Sequence, residues 1–414
     1  MVREQKAYVF IYLPGETVAV PAGIFTHYPD DGIGRFAYGL RYLERLDALP
    51  VDPVALQLGA VPRDAAANGG LYGAFRDASP DYWGRLVIAA ELKFSPESLG
   101  EMDFLLHGNA SRVGCLDFRA SLEQGEPETR PPSFQLLAEI LEAATQLQHG
   151  EPVRHDLLQL LEQGTSIGGA RPKCTVELDD ALWIAKFPAR GDSVNFPRIE
   201  YATMLLAQAC GITIPEIRII SVGDKDVLLV KRFDRRKTAM GYQRFGFLSA
   251  LSLMEWDERD RTQWSYPALA DKMRAAILAQ PLELEELFRR MVLNVLCRNT
   301  DDHPRNHGFL WGEKGPALSP AYDIVPSLAR PGIGTDFSLS MSLGERGREA
   351  TVVNAVSLSA RFGLSQNKAQ LIVEEMKECV KTWEGHFASQ AVSSVDIEAV
   401  RACFSGADDT ILHY

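Results

Sequence analysis

The stretch that most restricts how this chain can fold runs from Arg298 to Val325. It opens as Arg298-Asn-Thr-Asp-Asp-His-Pro-Arg-Asn-His-Gly-Phe-Leu-Trp311 and resumes as Ser319-Pro-Ala-Tyr-Asp-Ile-Val325. Apolar residues at Leu287, Met291, Val292, Val295 and Leu296 recur at helical spacing, so a buried helix leads in. Pro304 and Gly308 then forbid a helix across Asp301 and Asn306, which must sit in a loop. Gly308 to Trp311 reads as a short strand, and Pro320 and Pro326 keep Asp323 out of any helix. Asn and Asp also favour turns for local hydrogen-bond reasons, so turn formation alone would account for Asn299, Asp301, Asp302 and Asn306.

Composition narrows the class. A chain of 414 residues, 46% hydrophobic and 24% charged, reads as a soluble globular protein of two or three domains or subdomains. A net charge of -12 argues against a broad nucleic-acid surface. No apolar run approaches the roughly 18 residues that span a bilayer, so no membrane association is expected. The charged start, Met-Val-Arg-Glu-Gln-Lys, is unlike a secretory signal. Cys115, Cys174, Cys210, Cys297, Cys379 and Cys403 are scattered without a CxxC pair, which suits free thiols in a reducing cytoplasm.

Along the chain, Ala7–Leu13 and Thr17–Val20 read as strands about a Pro14-Gly15 turn, and Val54–Leu58 as another strand. Phe36 to Leu46 has helix or strand character, and Ser79-Pro80 reads as the cap and first residue of a helix through Leu92. A strand at Gly114–Phe118 follows, and residues 122–132 lack any apolar period and read as a linker. Beyond it come helices at Phe134–Leu147 and Leu157–Leu161, a glycine-rich turn, and strands around an Asp179-Asp180 turn. A helix over 199–210 and strands at Glu216–Val222 and Val227–Val230 complete this part. After Phe233 the pattern is mostly helical, with Asn367–Ala388 as one long helix. The expected segments are 1–125, 126–232 and 233–414.

Phosphoryl transfer from a nucleotide needs a carboxylate to orient the attacking hydroxyl, and an amide oxygen and a second carboxylate for Mg²⁺. Asp301, Asn306 and Asp323 present these groups in the protein-kinase order. Gly168-Gly169, between Ser166 and Ala170, would let backbone amides approach a phosphate, or is only a hairpin turn. It is neither a P-loop nor GxGxxG. Lys186 either reaches nucleotide phosphates or points to solvent, and Glu200 either pairs with it or serves the start of its helix. The basic run Lys231-Arg-Phe-Asp-Arg-Arg-Lys237 is an adenine-binding connector with Phe233 lining the base, or else a solvated turn or patch for an acidic partner. His303 and His307 suggest a metal pair, but Pro304 breaks the helix that pair would need. No GxSxG elbow supports acyl transfer.

With these residues assembled, the chain resembles the HipA-type toxin kinases of bacterial toxin–antitoxin systems over nearly its whole length. Ser166-Ile-Gly-Gly-Ala-Arg-Pro-Lys173 is similar to the family's glycine-rich loop, Ala185-Lys-Phe-Pro188 to its lysine strand and Arg232-Phe-Asp-Arg235 to its interlobe connector. Asn299–Asn306 matches its catalytic loop and Ala321–Pro326 its metal loop; Ser79–Gly84 and Arg112–Phe118 fit its N-terminal part. Two departures from eukaryotic kinases, no Arg before Asp301 and Asp-Ile-Val for DFG, remove no needed group.

The resemblance implies an α+β, two-lobed protein-kinase-like fold related to the lipid kinases. A small β-rich N-terminal subdomain would precede it, and the C-terminal lobe would be mostly helical. It implies ATP and Mg²⁺ as cofactors, with Asp301 catalytic and Asn306 and Asp323 as metal ligands. Ser166, Ile167, Gly168, Gly169, Ala170, Lys186, Glu200, Lys231 and Phe233 would bind ATP, and Ser166 would be autophosphorylated. A dianionic group there would repel ATP and eject the loop. It further implies a protein substrate such as an aminoacyl-tRNA synthetase and a helix-turn-helix DNA-binding antitoxin, with DNA reached only through that partner. Two other functions fit the residues less well: a small-molecule or lipid kinase, and a nucleotide-gated binding module that does little chemistry.

Overall fold

The computed structural model of the chain describes residues 4–125, 130–164, 169–276, 281–312, 315–328 and 338–404. Its contacts fall into two compact units. The first comprises Met1–Gly191, Ser221–Asp257 and Leu310–Gly315; the second comprises Asp192–Ile220, Glu258–Phe309 and Pro316–Tyr414. Strands concentrate in the first and helices in the second, so the fold class is α+β, β-rich at the start and helical towards the end.

The first unit begins with β1 (Gln5–Ile11), β2 (Val20–Tyr28), β3 (Ile33–Tyr38), β4 (Arg63–Ala65) and β5 (Leu116–Arg119). They form one sheet in the order β4-β3-β2-β1-β5, and every pair is antiparallel. Its core is aromatic. Phe75, on α2 (Gly73–Ala78), meets Phe25, Phe36 and Phe118 edge-on at centroid distances of 5.1, 5.7 and 5.1 Å. Each such ring contributes about 1.5–3 kcal/mol by burial, so this cluster is a large part of what holds the sheet.

The structure departs from the sequence reading here: the strand expected at Thr17–Val20 begins only at Val20 and runs on to Tyr28 as β2, and β3 is not among the expected strands. Val54–Leu58 is not a strand, because the Asp52 carboxylate accepts from the amides of Val54 and Ala55 (both 2.9 Å) and folds the chain into a turn. The helix expected from Ser79-Pro80 starts later, as α3 (Tyr82–Leu92), with Asp81 as the residue that precedes its first turn. Helix α1 (Leu40–Leu43) is a single turn, and α4 spans Glu101–His107.

Helices α5 (Leu137–His149) and α6 (His155–Gly164) precede the hairpin β6 (Lys173–Leu178) and β7 (Ala181–Lys186). Its two turn residues, Asp179 and Asp180, have φ of 51° and 56°, the doubly left-handed turn that matches strand twist. The chain passes through α7 (Phe196–Ala209) and β8 (Ile217–Val222), then returns as β9 (Lys225–Lys231), which pairs with β7. Three further strands follow where a mostly helical stretch is expected: β10 (Arg235–Thr238), β11 (Gly241–Arg244) and β12 (Gly246–Ser249).

In the second unit, α8 (Ala250–Leu253, still on the first) gives way to α9 (Tyr266–Ala276) and α10 (Pro281–Leu296). Every residue of the predicted α10 stripe is buried, Leu287, Met291, Val292 and Leu296 completely. The long helix expected near the end is two, α12 (Gln366–Val380) after α11 (Val352–Ser357), then α13 (Trp383–Ser389). Between them the Thr382 hydroxyl donates to the Cys379 carbonyl at 2.8 Å. Among the described residues no helix is long and apolar enough to cross a membrane.

Candidate functional site

Helix α10 ends by a defined device. The Asn299 amide donates to the Asn294 carbonyl at 3.0 Å and the Arg298 amide to Val295 at 3.3 Å, with Arg298 at φ 49°. That is a Schellman stop with arginine in the left-handed position usual for glycine, and it turns the chain sharply into the loop. Within the loop, Pro304 opens a single 3₁₀ turn through Asn306, and the strand Gly308–Gly312 (β13) begins two residues later, as the sequence indicates.

Asp301 lies with its side chain 82% exposed. Its amide donates to Asn299 Oδ1 at 3.3 Å, and its carbonyl accepts from Asn306 Nδ2 at 2.9 Å. The second contact commits the amide nitrogen of Asn306 and leaves the oxygen end for another partner. Asp323 has φ 56°, a left-handed conformation that Asp tolerates better than most residues and that re-aims its carboxylate. Its neighbours fix it: the Tyr322 hydroxyl donates to the Arg305 carbonyl at 2.7 Å, and Ile324 is buried. Asn306 and Asp323 line one small pocket, together with Asn299, Asp302, His307 and Arg290.

The donor set fits Mg²⁺. One carboxylate and one amide oxygen suit a hard cation that keeps several waters and takes phosphate oxygens. No cluster of three or more His, Cys, Asp or Glu assembles among the described residues, so an all-protein cage is not what these groups make.

Beside the pocket lies a buried group of side chains that includes Asp302, which the sequence offers only as a turn former. Asp302 is 1% exposed, accepts from Tyr266 Oη at 2.8 Å and from the Ser340 amide at 2.6 Å, and burial pushes its carboxyl up to about 7. His307 Nε2 is 3.2 Å from the same tyrosine oxygen, and burial pushes its imidazole down to about 3, so it is neutral. His303 and His307 are engaged separately: His307 is buried with Nε2 on the tyrosine oxygen, and His303 Nε2 lies 3.9 Å from Asp301 Oδ1.

In the first unit, Ser166, Ile167 and Gly168 of the glycine-rich turn lie outside the described residues. Gly169 and Ala170 are described. Gly169 has φ 119°, a backbone conformation that favours glycine, and a Cβ there would meet the end of the Lys173 side chain. Lys173 is 5% exposed, and the Trp83 indole donates to its carbonyl at 2.9 Å. It stands directly opposite Lys186 in the β6–β7 register. Two lysines so placed repel unless negative charge accompanies them. The signal was legible: a two-residue turn at Asp179-Asp180 makes Lys173 and Lys186 partners.

The connector corrects the solvated-patch alternative. The Arg232 and Arg235 side chains are 1% and 2% exposed and bracket Asp234 at 2.8 Å each. Arg232 also donates to the Ser111 carbonyl at 2.6 Å, and Arg235 to the Gly114 carbonyl at 3.0 Å. Burial would raise the Asp234 carboxyl, but the two guanidiniums overturn that and hold it well below the carboxylate range. Only Arg236 and Lys237 are exposed. Lys231 is half-buried with its ammonium 5.8 Å from the Trp183 ring centre, and Phe233 is half-buried. Glu200 is buried near the start of α7, whose Asn195 cap accepts from the Arg198 amide.

Comparison with known proteins places these residues in context. Residues 165–383 match the model of the HipA-like C-terminal domain. "Putative kinase Y4dM" of Sinorhizobium fredii is 24% identical over 242 residues, which is 52% of this chain and 56% of that protein. A kinase-named protein of Haemophilus influenzae is 24% identical over 220 residues, 49% of this chain and 64% of its own. The chain thus spans less than two thirds of the length of these curated relatives. The fold is that of a HipA chain from Shewanella oneidensis, solved with HipB and operator DNA. The two superpose with TM-score 0.68 at 14% identity, over 97% of this chain and 96% of that one.

Proposed function

Since the chain belongs to the family of HipA-like C-terminal domains, we propose that it is an ATP-dependent serine/threonine protein kinase, the toxin of a toxin–antitoxin pair. The observation that carries this reading is the catalytic loop. Asp301 exposes its carboxylate while Asn306 holds its carbonyl, and Asn306 shares a pocket with Asp323.

In this reading a Ser or Thr hydroxyl of the substrate donates to the Asp301 carboxylate. The hydroxyl oxygen forms a bond to the γ-phosphorus of ATP as the bond to the β–γ bridging oxygen breaks. ADP leaves, and the proton passes to Asp301. Asn306 and Asp323 hold Mg²⁺, which when bound neutralises charge on the phosphates. Lys186, with Lys173 opposite it, and the amides of Ser166, Ile167, Gly168, Gly169 and Ala170 hold the phosphates; Glu200 pairs with Lys186. Lys231 and Phe233 hold the adenine side of the nucleotide, on a connector fixed by its buried ion pairs. The segments 1–125, 126–232 and 233–414 are taken as N-terminal subdomain, nucleotide lobe and catalytic lobe.

The fold shared with a HipA chain that was solved with HipB and operator DNA supports a helix-turn-helix antitoxin as partner, with DNA reached through it. An aminoacyl-tRNA synthetase in the cytoplasm is the proposed substrate, and Ser166 the proposed site of autophosphorylation. Intact-mass spectrometry after incubation with Mg²⁺-ATP, beside an Asp323→Ala control, tests this. One added phosphate in the wild type alone, mapped to Ser166, is expected. A protein that starts without phosphate and gains none would shift the reading to a nucleotide-gated binding module.

A further inference from the structure

Resting on the kinase reading, we propose that Asp302 and Tyr266 are positioning residues for phosphoryl transfer. Their buried hydrogen bond fixes the loop so that Asp301, and neither of its neighbours, faces the substrate. Backbone alternation alone does not guarantee this, because a loop with Asp at both 301 and 302 offers two carboxylates that could exchange places. The structure breaks that symmetry. Asp302 is 1% exposed and accepts from Tyr266 Oη at 2.8 Å and the Ser340 amide at 2.6 Å, while the Asp301 side chain is 82% exposed.

The residue before Asp301 is pinned as well. The Thr300 amide donates to Ser327 Oγ at 2.9 Å, and the Thr300 carbonyl accepts from Ser340 Oγ at 2.9 Å. Ser340 thus holds both neighbours of Asp301, one through its hydroxyl and one through its amide.

Tyr266 extends the same control to both ends of the loop. Its hydroxyl oxygen accepts from Asn294 Nδ2 at 3.0 Å, and Asn294 Oδ1 accepts from Asn299 Nδ2 at 3.1 Å, where the loop begins. It also lies 3.2 Å from Nε2 of His307, the residue after Asn306, where the loop ends. One hydroxyl on α9 therefore ties Asn299, Asp302 and His307 together. A displacement near 1 Å at a reacting group costs about 100-fold in rate, so this tie is of catalytic size although it touches no substrate.

The test uses the full chain with Mg²⁺-ATP, reading autophosphorylation or ATP hydrolysis alongside hydrogen exchange of the peptide over residues 299–306. Tyr266→Phe and Asp302→Ala should each lower kcat about tenfold or more, with KM for ATP within about twofold, because the interaction lost orients the transition state rather than the nucleotide. Exchange over 299–306 should quicken by about tenfold in both. Asp302→Asn should keep kcat within about threefold of wild type, since its oxygen still accepts from Ser340 and its amide can donate to Tyr266. Unchanged kcat and unchanged exchange in a folded Tyr266→Phe protein would overturn the proposal, as would a rise in KM with kcat intact. If wild type and Asp301→Asn are equally inactive, the kinase reading fails. The exchange data then decide alone: unchanged protection in Tyr266→Phe overturns the positioning role, and faster exchange supports it.

Discussion

The connector at Arg232–Arg235 and the floor of the loop that carries Asp301 both bury polar groups, and they solve the problem in opposite ways. The connector sets charge against charge: Asp234 lies between Arg232 and Arg235, and the remaining guanidinium protons go to the Ser111, Arg112 and Gly114 carbonyls. The loop floor uses neutral groups, a tyrosine hydroxyl shared among a protonatable carboxyl, a neutral imidazole and an asparagine. A charged knot is indifferent to pH but intolerant of losing a member. A neutral hub tolerates isosteric change but contains a carboxyl that titrates near neutrality. The segment proposed to hold a nucleotide is thus built for fixity, and the one proposed to carry out chemistry is built for alignment.

The largest effect should come from breaking the knot. Asp234→Ala leaves two buried guanidiniums without a counter-charge, and arginine does not relieve the cost by giving up its proton. The expected loss of stability is about 3–5 kcal/mol, read as a shift of the denaturant midpoint at constant slope. A loss below about 1 kcal/mol would mean that the carbonyl contacts alone satisfy the arginines, and the contrast drawn above would collapse.

The hub should instead reveal itself through pH. The Asp302 carboxyl is raised to about 7 in the fold from an ordinary 3.8. Between those values the folded state holds a proton that the unfolded state has released. Its contribution is therefore fullest below about pH 4 and is lost as pH rises through 7. Asp302→Asn removes that slope, so its stability relative to wild type should climb between pH 4 and 7 by at most about 4 kcal/mol and then level off. Denaturant midpoints of both proteins at pH 5 and pH 8 measure this. Parallel midpoints would show that Asp302 is ionised in the fold and that the hub is not neutral.

How far the sequence reveals these two regions differs for physical reasons. Asp301, Asn306 and Asp323 stand out because prolines and glycine force them into loops, and the α10 stripe is plain because burial repeats at helical period. Strands β6 and β7 follow from their hairpin turn. The connector knot was not legible: five basic residues in seven look solvated unless one knows that the carbonyls of 111–114 face them. Nor was Asp302, since a carboxylate beside another carboxylate gives no hint which one turns inward. Sequence periodicity reports burial of apolar faces, whereas burial of charge depends on partners 120 residues away, as with Asp234 and the Gly114 amide.

The smallest effect should come from a pair that has the same chemistry as the knot without its burial. Arg35 and Asp64 make two parallel hydrogen bonds of 2.7 and 2.9 Å across β3 and β4, a fork like that between Arg232 and Asp234. Both side chains are 52% exposed, so water screens the attraction and receives either partner once the other is gone. Arg35→Ala should therefore leave the denaturant midpoint unchanged within error, at low salt and at high. A midpoint shift that disappears with added salt would mean that pairing itself, and not the stranding of a buried charge, stabilises this molecule. The large loss expected for Asp234→Ala would then have to be attributed to the pair's own attraction.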